Sequence, residues 1–228
     1  MNPHKIFQKF AKIPPISNII HYFHFVKFPG SKNYWEERYK TKGTSGAGSY
    51  NRLAIFKAEV LNQFIDENKI NDVIEFGCGD GNQLSLLNCP TYIGFDVAPT
   101  AIKLCKERFA KDKNKSFFLY DSLCFVDNNN IFQADLTISL DVIYHLIEEE
   151  VFHEYMKTLF SCSKKYVIIY SINIDETQTY HEKHREFSKW IYSNRPDWKF
   201  DKIIKNKYPY NPSDPENTSI SDFFIFKK

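Results

Sequence analysis

The spacing of apolar residues changes period repeatedly along the chain, and each change marks an element. Between 51 and about 68, Leu53, Phe56, Val60, Leu61, Phe64 and Ile65 recur at helical spacing with polar residues between them, which predicts a helix packed by one face. A short apolar run at 73–76 predicts a strand, and glycines at 77, 79 and 81 predict a turn that runs on into another helix. Strands are predicted at 92–96, 117–121 and 135–141, each ending in aspartate, and a near-continuous apolar run at 166–170 reads as a central strand buried on both faces. One helix begins near Pro99 and turns Ile102, Cys105 and Phe109 inward; another begins near 148 with Val151, Phe152, Tyr155, Met156, Leu159 and Phe160 on one side. A short helix at 187–193 and strands at 199–204 and 222–226 close the chain, the last two expected to pair antiparallel at the sheet's edge. The rhythm is α/β: a doubly wound, mostly parallel seven-stranded sheet with an antiparallel edge strand over 50–228, preceded by an N-terminal helical extension and lid loop at 1–49.

Composition narrows the partners. A chain of 228 residues is long enough for one domain with a real core, and a net charge of +2 lacks the concentrated basic field that a nucleic-acid partner requires. Five scattered cysteines without a C-x-x-C pair read as reduced thiols of a cytoplasmic protein. No run approaches the ~18 apolar residues of a membrane span. The first 33 residues mix lysines with Phe7, Phe10, Tyr22, Phe23 and Phe25, a composition that packs as an extra helix or two, or touches a membrane surface or partner enzyme. Gly43, Gly46 and Gly48, just after Tyr34-Trp35, suit a loop that folds over a ligand, or an ordinary connector.

The chemistry gathers at strand ends. In an open parallel sheet Asp96, Asp121 and Asp141 all meet one crevice, beside the glycine turn. Gly77 and Gly79 fit a dinucleotide fingerprint, but its third position falls on Asn82, with the glycine one place early at Gly81. Glu75 and Asp80 would repel a pyrophosphate and suit a cationic ligand. S-adenosylmethionine meets these demands: an ammonium, a sulfonium, no phosphate, and a ribose diol that Asp96 can grip with two hydrogen bonds.

Glu75-Phe76-Gly77-Cys78-Gly79-Asp80-Gly81 resembles the glycine motif of class I S-adenosylmethionine-dependent methyltransferases, and Ser139-Leu140-Asp141-Val142-Ile143-Tyr144-His145-Leu146 resembles that family's fourth-strand motif. The resemblance spans roughly 50–171 and implies a Rossmann-like fold with S-adenosyl-L-methionine as cofactor. The cofactor residues it implies are Tyr34, Glu75, Gly77, Cys78, Gly79, Asp80, Asp96, Val97, Asp121, Ser122, Asp141 and Val142, with Asp96 at the ribose and Asp121 at the adenine amine. More loosely, Tyr34-Trp35-Glu36-Glu37-Arg38-Tyr39, the 43–49 loop and His181-Glu182-Lys183-His184-Arg185-Glu186-Phe187 are similar to bacterial methyltransferases of surface-polysaccharide assembly. That implies O-methylation of a sugar hydroxyl or phosphate-type group in capsule or lipopolysaccharide synthesis, a glycan or small-molecule acceptor, no nucleic acid, and glycosyltransferase contact through the N-terminus.

An alcohol must lose a proton as it is methylated, and His145, just past the fourth strand, is the expected general base, or else a residue that orders the loop. Tyr144, His181, His184 and Arg185 are expected at the acceptor, with i, i+3 spacing placing both histidines on one helical face. A metal on His181, His184 and Glu182 or Glu186 is weakly signalled, and none is expected. A small-metabolite methyltransferase, an NAD-type oxidoreductase and a non-catalytic scaffold remain as rivals.

Overall fold

The structure, a computed structural model, describes residues 28–176 and 179–228. The basic, aromatic stretch at 1–33, expected to add helices or meet a membrane, lies almost wholly outside the described residues. Among those described, no helix is long and apolar enough to cross a membrane.

In chain order the elements are α1 (Ser31–Lys40), α2 (Asn51–Glu67), β1 (Asp72–Phe76), β2 (Thr91–Asp96), α3 (Pro99–Arg108), β3 (Lys115–Leu119), β4 (Ala134–Leu140), α4 (Glu149–Ser161), β5 (Ser163–Ser171), α5 (Phe187–Asn194), β6 (Lys199–Ile204) and β7 (Asp222–Lys227). They build one seven-stranded sheet in the order β3-β2-β1-β4-β5-β7-β6. β1 to β5 pair in parallel, and β7 runs against both β5 and β6, which closes that side of the sheet as the sequence pattern predicts. Strand order reverses direction between β1 and β4, the switch point where an open α/β sheet leaves a crevice at its carboxyl edge.

Alternating side chains split the core. Val73, Leu136, Ile138, Ile168 and Tyr170 pack with Phe56, Leu61, Phe64 and Ile65 of α2 on one face of the sheet. Ile74, Phe76, Val167 and Ile169 pack with Phe152, Met156, Leu159 and Phe160 of α4 and Trp190 of α5 on the other. β4 is buried along its whole length, as a strand covered on both faces must be.

Three local expectations fail. The glycine turn does not enter an α-helix: only a single 3-10 turn, Leu84–Leu86, follows it. The nine residues between Gly81 and β2 include Pro90, too little chain for a helix and its return. β3 sits two residues earlier than its apolar run suggested, so Asp121 lies beyond the strand rather than at its last position. Residues 181–186 form an irregular loop instead of a helix, so His181 and His184 share no helical face.

Candidate active site

The carboxyl ends of β1, β2 and β4 open into a cavity of about 300 Å³. Glu75, Gly77, Cys78, Gly79, Asp96, Val97, Asp121, Ser122, Asp141, Val142 and His145 all line it, so most of the expected cofactor set comes together. Gly77 (φ 87°) and Gly79 (φ 57°) adopt the left-handed region, and a Cβ on either would collide, with Val142 Cγ2 at 2.4 Å and with Ser45 Oγ at 2.3 Å. The turn can approach its neighbours this closely only with glycine.

Asp96 ends β2 and accepts hydrogen bonds from the backbone N–H groups of Gly79 and Ala98, each at 2.9 Å. Burial pushes its carboxyl up to about 6, against the pull of those N–H donors. Glu75 is buried beneath it, receives the Tyr92 hydroxyl at 2.5 Å, and is pushed up to about 7, again by burial first. Burial thus raises both acids beside the cavity towards neutral pH, and a bound cation would favour their ionised forms. Asp121 is held below the usual carboxylate range by Lys32 of α1, 2.9 Å away.

Helix α1 and the loop after it cover this cavity. Ser31 donates to Glu148 Oε2 and to the His145 carbonyl, and Glu36 receives the Thr100 backbone N–H and hydroxyl. Two expected cofactor residues belong to this cover. Asp80 does not line the cavity; its carboxylate accepts from Tyr50 Oη at 2.7 Å, Ser45 N and Asn82 N, and so ties the glycine turn to the lid loop. Tyr34 faces the other way and stacks on His181, with ring centroids 5.0 Å apart.

On the far side of α1 lies a groove of about 1300 Å³, walled by β5's end, the 172–184 loop and the 205–222 segment. Trp35, Ser45, Asp141 and His145 line both spaces. They form the partition between the two.

Asp141 leaves β4 in the left-handed conformation, φ 58°. Its Oδ2 pairs at 2.8 Å with Lys57 Nζ, a lysine of α2 with no solvent exposure, while Oδ1 accepts from Ser221 and Tyr144 hydroxyls. His145 packs edge-on to Trp35 and parallel to His181, and its Nδ1 lies 3.0 Å from the His181 carbonyl oxygen. A carbonyl only accepts, so Nδ1 carries the proton and Nε2 keeps its lone pair. Burial pushes this imidazole down to about 4, so it is neutral at physiological pH rather than poised near it.

The expected acceptor set divides. Tyr144, His181 and His184 line the groove. Arg185 does not: its guanidinium donates to the Leu146 and Ile147 carbonyls at 2.7 and 3.1 Å and to Glu149, and lies over the Phe152 ring, bracing the segment after β4. It has no fork left for a substrate anion. His145, His181 and Glu182 bring one ligand-type atom each within 4.8 Å of one another, donor types that a divalent cation accepts.

A model of the methyltransferase domain family matches residues 49–203, more than half of the chain. The chain belongs to that family. This methyltransferase is 31% identical over 117 residues to the small RNA 2'-O-methyltransferase of Arabidopsis thaliana, a match covering 46% of the chain and only 12% of that relative. Its fold is shared with the methyltransferase domain of a bacterial Hen1, CtHen1-C (TM-score 0.56, 20% identity, 75% of this chain and 96% of that one). It is shared also with N-methyltransferase NodS of Bradyrhizobium japonicum WM9 bound to S-adenosyl-l-homocysteine (0.60, 14%, 77% and 87%). The oxidoreductase and scaffold rivals therefore fall away, and S-adenosylmethionine is the methyl donor.

The cavity fits that donor. Its acids suit ammonium and sulfonium, and a buried polar atom of a lining residue, Gln83 Oε1, has no hydrogen-bond partner among the described residues. Gln83 Nε2 donates to the Ala54 carbonyl at 3.1 Å, which fixes Oε1 as the unused acceptor. Asp96 and Asp121 would hold the ribose and adenine ends, and Glu75 would face positive charge; the donor supplies an electrophilic methyl on sulfur. Trp35, Ser45, Lys57 and Gln83 were missed in the sequence. Only Lys57 left a signal there: it interrupts the apolar stripe Leu53, Lys57, Leu61 at i, i+4 spacing, where a charge needs a buried partner.

Proposed function

We propose that the methyltransferase methylates a hydroxyl of an uncharged, hydroxyl-rich acceptor, a sugar unit of a bacterial surface polysaccharide or its precursor. The observation that carries this reading is the charge of the groove. Asp141 is paired with Lys57 and Asp222 with Lys205, each at 2.8 Å, which leaves Glu176 and Glu182 of its lining against Arg38. A phosphodiester chain calls for the opposite balance, since phosphate contacts dominate nucleic-acid affinity. The same excess of acid disfavours a phosphate-type acceptor. The association with surface polysaccharide rests on the flanking motifs around Trp35 and His184.

In this reading the acceptor oxygen attacks the methyl carbon as the carbon–sulfur bond breaks, leaving S-adenosylhomocysteine, and the hydroxyl proton passes to His145 Nε2. The proton becomes strongly acidic only once the new bond forms, so a base held near 4 suffices if it is correctly placed. An RNA acceptor is the second reading, favoured by the 31% match to the plant enzyme.

Labelled S-adenosylmethionine offered with fractionated surface glycans and nucleotide-linked precursors, and in parallel with total RNA, separates the two. Label in a glycan fraction that disappears in His145→Ala, with S-adenosylhomocysteine binding intact, is the expected result. Label in RNA alone overturns the proposal.

A further inference from the structure

Two polar atoms of the groove wall are buried and have no hydrogen-bond partner among the described residues: Ser171 Oγ and His184 Nε2. Both stand beside the partition. Ser171 is the last residue of β5, and the preceding Tyr170 carbonyl receives the Asp141 N–H at 2.8 Å. His184 meets the Tyr144 ring edge-on at 6.1 Å, and Tyr144 in turn donates to Asp141. Buried polar groups are almost always paired, so two unsatisfied ones in the same wall mark where a ligand supplies the partners.

The chemistry of the missing partner is fixed by Glu176. Its Oε2 lies 3.1 Å from His184 Nδ1, and a carboxylate only accepts, so Nδ1 carries the proton. With Nδ1 as the donor to Glu176, the neutral ring presents Nε2 as a lone pair. That nitrogen demands a donor. A hydroxyl supplies one; a phosphodiester or carboxylate does not. Ser171 both donates and accepts, and so suits a second hydroxyl of the same ligand.

We propose that Ser171 Oγ and His184 Nε2, the latter held as an acceptor by Glu176, form the acceptor-anchoring subsite of the groove, selecting a neutral polyol by binding hydroxyls other than the one methylated. This deepens the proposed function and rests on it for the identity of the groove, but not for its test. Glu176 is a positioning residue, acting through the imidazole.

The test uses the full chain with S-adenosylhomocysteine present and the His184 ring nitrogens observed by ¹⁵N NMR, with methyl glucoside, galactoside, mannoside and rhamnoside as neutral probes and dimethyl phosphate, which has no hydroxyl to donate, as the anion. The ¹⁵N shifts are expected to place the proton on Nδ1, facing Glu176, and the lone pair on Nε2. At least one glycoside should shift Nε2 saturably while dimethyl phosphate leaves it in place. Ser171→Ala and His184→Asn should each weaken that glycoside about tenfold or more, measured for His184→Asn by calorimetry or ligand-detected NMR. Asn keeps a donor for Glu176 while removing Nε2, so a fold defect is not the cause. Glu176→Gln should move the proton towards Nε2 and lose selectivity for the glycoside.

A protonated Nε2 in the unliganded protein, a response to dimethyl phosphate alone, or no response to any probe overturns the subsite. If glycosides bind as expected and no glycan fraction is methylated, the acceptor reading fails while the subsite stands. If glycans are methylated and Ser171→Ala and His184→Asn leave the KM for them unchanged, the subsite fails while the reading stands.

Discussion

The two cavities on either side of helix α1 are built in different ways. The cofactor cavity takes its polar groups from the ends of consecutive strands and from one glycine turn, so its parts lie next to regular structure and their positions follow from backbone pairing. The acceptor groove takes its groups from loops at 172–184 and 205–222 whose shapes depend on individual side-chain ties, such as Asn206 donating to Tyr170 Oη and Thr218 donating to the Asp214 carbonyl. A methyl donor is common to a whole family, while an acceptor is particular to one enzyme. On the proposed reading, the rigid half carries the shared chemistry and the irregular half the specificity.

Substitutions at the partition and on either side of it test this division. The largest effect is expected at Lys57. Lys57→Met strands Asp141 without its buried counter-charge and should cost about 3–5 kcal/mol in denaturant unfolding, with Lys57→Met/Asp141→Asn recovering most of it. A loss equal to that of a surface lysine would remove the ion pair from the partition. Next, Asp96→Ala should weaken S-adenosylhomocysteine by about 100-fold in calorimetry, because two backbone N–H groups and the ribose lose one acceptor together. Glycoside binding should change far less; an equal loss of both would mean that the two halves are not separate.

A smaller effect follows from acidity. Asp96 is raised from 3.8 to about 6, so it is protonated in the free protein below that pH, whereas a ribose diol binds its ionised form best. S-adenosylhomocysteine affinity should therefore be full above pH 7 and fall about tenfold by pH 5. A flat profile over that window would remove Asp96 from the ribose. His145 acts on stability with the opposite charge logic. Its pKa is depressed to about 4, so the unfolded chain takes up the proton first, and folding stability is lost as pH falls from 6.5 towards 4, by up to about 3 kcal/mol. His145→Phe should flatten that part of the pH–stability curve. The smallest effect is expected at Lys32, whose pair with Asp121 is half exposed: Lys32→Ala should change cofactor affinity by no more than about threefold.

How much of this was legible in the sequence differs between the same two halves. Strand periodicity located β1, β2, β4 and β5, and with them Asp96 and Asp141, because those side chains sit at or one residue past the end of a patterned run. Asp121 came to the right cavity although its strand ended earlier than the apolar run, since the crevice collects whatever leaves that edge of the sheet. Asp80 and Arg185 were misread for a common reason. Both are charged residues beside a motif, and the sequence does not say whether a charge faces a ligand or its own backbone. Asp80 spends its acceptors on the lid loop and Arg185 spends its donors on two carbonyls. His181 and His184 do line the groove, but not through the helix that their spacing suggested; their proximity to His145 and Tyr144 comes from loop geometry that no periodicity encodes. Gln83 is invisible in the pattern, being one amide in a polar turn.

Helix α1 supplies Ser31, Lys32 and Tyr39 to one cavity, Tyr34 and Arg38 to the other, and Trp35 to both. For anyone wishing to redirect the enzyme, that sets the order in which parts can be exchanged. Ser221 apart, whose hydroxyl donates to Asp141, the 205–222 segment can be rewritten for a new acceptor without disturbing the cofactor cavity, since none of its residues lines it. The helix is harder to rewrite, because Trp35 lines both spaces and its helical neighbours Ser31, Lys32 and Tyr39 line the cofactor cavity.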